Sequence, residues 1–176
     1  MRSAKPFRMR FVTSPAYTSS NSMTRDGLLE EVMRTRLHSK YPVVAEQILA
    51  SRRTVRNIVT AAARVAVRNA GLDPSLAGPA IAAIERGVPL DPGFRKRLQD
   101  LKRESDNTYL DAQDALGPTE ALSPTALAAF RRARAIAALL GALDSTSSTQ
   151  AAEVVYEALA SSDDEEKALV TITKAT

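Results

Sequence analysis

PVVAEQILASRRTVRNIVTAAARVAVRNA, residues 42–70, decides the fold class. Proline suits a first helical turn, and Gly71 follows directly, a residue common just past a helix end. At 100° per residue, Val44, Ile48, Val55, Ile58, Val59, Ala62, Val65 and Ala66 fall within an arc of about 120°. Arg52, Arg53, Arg56, Arg64 and Arg68 fall on the other side. The apolar arc never slips phase, so the spacing predicts one uninterrupted helix from Pro42 to Ala70. An interruption within Ile48–Ser51 would favour a helix-turn-helix instead. The arginine stripe reads either as a solvated face or as a binding face. No carboxylate lies between Arg52 and Arg68, which favours binding.

The rest of the chain is also helical in pattern. Residues 24–39 place Leu29, Val32, Met33 and Leu37 on one face, with Thr24 as a cap. Asp73-Pro74 and Gly78-Pro79 introduce a short helix ending at Gly87. Asp91-Pro92 opens another, with Phe94, Leu98 and Leu101 inward, running up to Leu116 before Gly117-Pro118. Ser123-Pro124 opens a helix that closes at Gly141, with Arg131, Arg132 and Arg134 near its start. Ser147 and Gln150 have capping-box spacing for a helix burying Ala151, Val155 and Leu159. Asp163 to Glu166 suit the first turn of a last short helix or an acidic tail, and Leu169–Thr173 is β-prone. The expected organisation is a basic arm over 1–23, a helical domain over 24–160 and a short acidic tail over 161–176.

Charge is unevenly laid out along the 176 residues. Residues 1–103 hold 19 Lys/Arg against 8 Asp/Glu, whereas 104–176 hold 5 against 12, within a net charge of +4. The basic part suits a polyanion, and the acidic part suits solvent or the basic part of a neighbouring copy. The arm has Arg2, Lys5, Arg8 and Arg10 and no acid before Asp26. Phe7, Met9 and Phe11 alternate with Arg8 and Arg10, the period of an extended segment. The same arm also reads as a disordered tail or a mitochondrial presequence, though not as a secretory signal.

Catalytic and ligand-binding signatures are missing. There is no cysteine, and the one histidine, His38, reads as a surface or capping residue. No phosphate-cradling glycine loop, dinucleotide fingerprint or calcium loop is present. The carboxylate pairs Asp100/Glu104 and Asp111/Asp114 share helix faces as ordinary surface charge. No apolar run approaches the ~20 residues of a membrane span. The expectation is a protein that is not an enzyme, with no cofactor, no metal, no small-molecule substrate and no membrane partner.

Two nucleic-acid readings follow. Val44-Ala45, Ile48, Ser51-Arg52-Arg53-Thr54-Val55 and Ile58 resemble a helix-turn-helix, with Leu49 where glycine is usual at the turn. The second reading rests on several short pieces in order: Thr13-Ser14-Pro15, Arg53-Thr54-Val55, Asn69-Ala70-Gly71-Leu72-Asp73-Pro74, Phe94-Arg95, Leu127-x-Ala129-x-Arg131-Arg132 and Tyr156-Glu157. In these the chain resembles the coat proteins of rod-shaped plant RNA viruses, the tobamovirus and hordeivirus group. It departs from them in lacking Trp and in having Tyr where Phe is usual. The resemblance implies an antiparallel four-helix bundle, repeated along a helical rod in copies of itself, with single-stranded RNA between subunits. It carries Arg53, Arg131 and Arg132 over as RNA contacts. Arg52 and Arg56 on the stripe, and Arg134 beside the double arginine, complete the candidate set. Virion or host cytoplasm is the implied location. A subunit of a mitochondrial or other complex, or a bacterial cytoplasmic DNA-binding protein, remains the alternative.

Overall fold

A computed structural model of the chain describes residues 35–50, 54–117 and 120–175. The arm over 1–23, most of the helix expected over 24–39, and Arg52 and Arg53 lie outside the described residues. Among the described residues all regular structure is helical: α1 Arg36–Lys40, α2 Pro42–Ala50, α3 Val55–Asn69, α4 Pro74–Arg86, α5 Pro92–Asp114, α6 Pro124–Asp144, α7 Ser148–Ala160 and α8 Glu165–Ala175. The all-α class expected from periodicity is therefore what the chain adopts.

The single helix expected over 42–70 is not formed. α2 ends at Ala50, and Thr54 is extended, at φ −68° and ψ 142°. Its hydroxyl oxygen accepts from the Asn57 backbone N–H at 3.4 Å, so it caps a new helix. A threonine can satisfy a backbone donor locally, and here that wins over a continuous apolar arc. α2 then packs on α1 and α7, with no comparable packing against α3.

Most other boundaries follow local chemistry. Asp73 caps α4 by accepting from Ser75 N–H at 2.7 Å, and Pro74 occupies the first turn. Gly87, at φ +64°, ends that helix in the left-handed region that favours glycine. Gly78 and Pro79 lie inside α4 rather than at its start. Asp91 and Ser123 cap α5 and α6, and the Ser147/Gln150 capping box opens α7. α6 does not close at Gly141 but continues to Asp144. A Cβ at 141 would stand 3.0 Å from Val154 Cγ2 on α7, so the glycine serves close helix approach.

α3, α6 and α7 pack on one another and hold most of the core. Ile58, Val59 and Val65 of α3 meet Ile136 and Leu139 of α6 and Val155 and Leu159 of α7 in one buried cluster. More than half of the buried apolar residues are alanine, which lets helix axes come close. α5 lies along α6, while α4 packs on both α3 and α6. Of the two readings of the segment from 161 onward, the last short helix is the one formed: α8, with Glu165 and Glu166 in its first turn, docks on α3 and α7 through buried Ala168 and Ile172 rather than trailing as an acidic tail. No described helix is long and apolar enough to cross a membrane.

Candidate nucleic-acid interface

α3 turns its apolar arc into the core and leaves Arg56, Arg64 and Arg68 exposed. They are spaced by eight and four residues, so they follow an inclined ridge about 18 Å long at 1.5 Å per residue. An open trench of about 370 Å³ runs along this ridge, walled by Glu85 of α4 and Thr171 of α8. A second hollow shares Arg68 and Thr171 with it and adds Lys167 together with two carboxylates, Asp163 and Asp164. The two form a continuous polar path from Arg56 to Lys167.

The cations on this path differ in what already holds them. Arg64 donates from Nε to Glu85 Oε1 at 3.0 Å and also reaches the same oxygen with Nη2. Arg56 has no carboxylate partner among the described residues. Its guanidinium lies over Gly87, filling the space a side chain there would need. The Arg68 guanidinium and the Lys167 ammonium likewise have no ion pair among the described residues, although the Lys167 backbone N–H donates to Asp164 Oδ1 at 2.9 Å. Cations without an ion pair are open to an incoming anion.

The arginines of α6 are used otherwise. Arg131 pairs with Asp163, which itself lines the far end of the path. Arg132 is exposed and has no described partner. Arg134 is drawn inward, with its side chain 21% exposed. It donates to Asp106 Oδ1 at 2.8 Å and to Glu157 Oε2 at 3.3 Å, and it lies over the Phe130 ring. Its Nε is buried with no hydrogen-bond partner among the described residues. Arg134 is therefore a structural tie between helices rather than an exposed contact. It is also one link in a chain of charges. Arg36 of α1 meets Glu153 and Glu157 of α7, while Lys102 of α5 meets Asp106.

This network shifts its members. Partial burial, the largest influence on Asp106, pushes its carboxyl up. Hydrogen bonds from Lys102 and Arg134, with their charges, outweigh burial and hold it below the ordinary carboxylate range. Burial likewise lowers Arg36 most, yet hydrogen bonds to Glu157 and Glu153 leave its pKa raised.

The chain matches no protein-family model, no curated protein and no solved structure. The site is therefore read from its own residues. Of the sequence candidates, Arg56 lies on the trench and Arg131 reaches the second hollow through Asp163. Arg132 is free at the surface, and Arg134 is committed internally. Arg64 and Arg68 belong to the arginine stripe visible in the sequence and lie outside the candidate set. Lys167 and Glu85 had no local signal, because only the docking of α8 and α4 beside α3 brings them there. Among the described residues no group of acidic or histidine side chains is arranged to hold a metal ion.

Proposed function

We propose that the protein is a non-enzymatic structural subunit that binds nucleic acid, single-stranded RNA above all, through arginine–phosphate contacts. The observation that carries this reading is the exposed row Arg56, Arg64 and Arg68, continued by Lys167, with a described carboxylate against Arg64 alone. Guanidinium groups in a row give phosphate recognition without base readout, which is what a coat needs. In the specific form of the proposal, copies of the chain assemble helically around RNA as a capsid, in the virion or host cytoplasm. α3, α5, α6 and α7 form its antiparallel four-helix bundle. Two features support that arrangement: α6 and α7 pack side by side across a link of only Ser145–Ser147, and α5 lies along α6.

A helix-turn-helix is the second reading, favoured by the extended Thr54 that separates α2 from α3. Two observations weigh against it. Residues 48–50 are helical where the turn was expected, and α2 packs on α7 rather than on α3. Negative-stain imaging of the purified full chain with and without single-stranded RNA tests the proposal. Rods or discs are expected. Uniform monomers with RNA present would overturn the coat form, and preferential binding of one DNA duplex would move the helix-turn-helix to first place. Persistent monomers without affinity for any nucleic acid would leave the reading of a subunit in a larger protein complex.

A further inference from the structure

The residues around the α3 ridge limit what it can recognise. The five described aromatic side chains all lie elsewhere. Tyr109 packs against Phe130 with the rings tilted by 47° and 5.0 Å between centroids, and Tyr156 lies 4.4 Å beneath the Arg36 guanidinium. Phe94 and Tyr41 face Arg97 and Lys40. None lines either hollow. Among the described residues the trench thus offers cations and small polar groups such as Asn57, Thr60 and Thr171, but no aromatic platform on which a base could stack.

Glu85 adds a second limit. One of its oxygens already takes two donors of Arg64, near the middle of the row. A lone anion at Arg64 must displace that carboxylate and gains one cation for doing so. A chain of anions also gains Arg56 and Arg68 in the same event, because linked contacts act at high effective concentration. The row is too long for a single phosphate to touch more than one of its ends.

We propose that the trench takes a linear chain of phosphates and reads nothing else, and that Glu85 sets its preference for chains over single anions. This rests on the phosphate-binding reading of the same row. A nucleic-acid strand and long-chain inorganic polyphosphate present this chemistry equally. Polyphosphate binding would therefore be an activity of the protein in its own right.

The test is competition against a fluorescent single-stranded RNA bound to the full chain, read by anisotropy. The competitors are an oligonucleotide strand lacking bases, long-chain inorganic polyphosphate, and orthophosphate at the same total phosphate. The base-free strand and polyphosphate are expected to displace the RNA as well as a strand with bases does, and orthophosphate is expected not to. Stacking of even one base would give the strand with bases an advantage of about fivefold or more, and that advantage would overturn the inference. Displacement by orthophosphate would do the same. Glu85→Gln should tighten chain binding by about two- to fivefold, the range of a removed exposed ion pair. No change in Glu85→Gln would remove Glu85 from the proposal. Polyphosphate binding without RNA binding would keep this inference and sink the nucleic-acid function. RNA binding without polyphosphate binding would do the reverse.

Discussion

Arg134 of α6 donates to Asp106 of α5 at 2.8 Å, and through the same guanidinium it reaches Glu157 of α7. Three helices meet at one side chain. Glu157 is only 8% exposed and keeps Arg36, while Asp106 keeps Lys102, so removing Arg134 halves the cations at each of two poorly solvated acids. Arg134→Met should cost about 1–3 kcal/mol in urea unfolding. Arg132→Ala, at an exposed and unpaired position, should stay within about 0.5 kcal/mol. Equal effects of the two would remove Arg134 from its structural role.

The depressed Asp106 carboxyl makes stability depend on acid. Unfolded, this group titrates near its ordinary ~3.9. Above that value it is ionised in both states, and its stabilisation is fully present. As pH falls below it, the unfolded chain takes up the proton first, and the stabilisation is lost as pH falls through the lower folded value. Urea midpoints of the parent and of Asp106→Asn should differ constantly near neutrality and converge in acid. A gap that widens in acid would contradict the assignment.

Gly141 faces Val154 across the α6–α7 contact. Alanine in a helix interior is normally about 1 kcal/mol better than glycine. Here the added methyl would press on Val154 Cγ2, so Gly141→Ala should lose most of that gain. Gly141→Val should destabilise by about 1–3 kcal/mol through overpacking. Thermal melts of both variants check this, and a full gain in Gly141→Ala would show that α7 yields freely.

Each phosphate contact on a single strand adds about 0.7 to the slope of log affinity against log salt. Arg56→Ala and Arg68→Ala should each make that slope shallower by about this amount, for unrelated RNA sequences alike. Arg134→Met should leave the slope unchanged while lowering stability. A salt titration with two unrelated single-stranded RNAs separates these outcomes. Unchanged slopes in both Arg56→Ala and Arg68→Ala would place the RNA elsewhere.

Docking of α8 rests on Ala168 and Ile172, one helical turn apart and both buried. Ile172→Ala should cost about 2–4 kcal/mol if α8 unfolds with the rest of the chain. A two-state melt with little change in midpoint would mean that α8 contributes no cooperative stability.

Much of this fold was legible because helix starts announce themselves locally. Asp91-Pro92, Ser123-Pro124 and Ser147 with Gln150 each satisfy backbone donors within a few residues, and each begins a helix as expected. The break before Val55 was hidden because the apolar spacing runs through it in phase. Thr54 was the available signal, a single cap residue set inside a hydrophobic arc that continues on both sides of it. Residues 169–173 were misread for the opposite reason. Their β-branched side chains favour a strand, but burial of Ala168 and Ile172 against α3 and α7 decides for a helix.

The site was legible only as far as one helix could show it. The stripe on α3 was visible from its own periodicity. Which arginines stay free depends on residues distant in sequence. Arg134 finds Asp106 and Glu157 on other helices, Arg64 finds Glu85, and Arg131 finds Asp163. None of those pairings has a spacing rule, because each arises only when helices pack.

The alanine-rich core has a mechanical consequence. An alanine projects one methyl and has no rotamers to lock, so helix faces lined with it are shallow in relief. Such faces hold helices together through proximity, yet they oppose little when one helix slides along another. Axial registry then falls to the features that protrude: Ile136, Leu139 and Leu159 in the core, the Arg134 fork, the Arg131–Asp163 pair and the notch where Val154 meets Gly141. These few contacts act as dowels between smooth rods, and they choose one alignment among several that the methyl groups alone would accept.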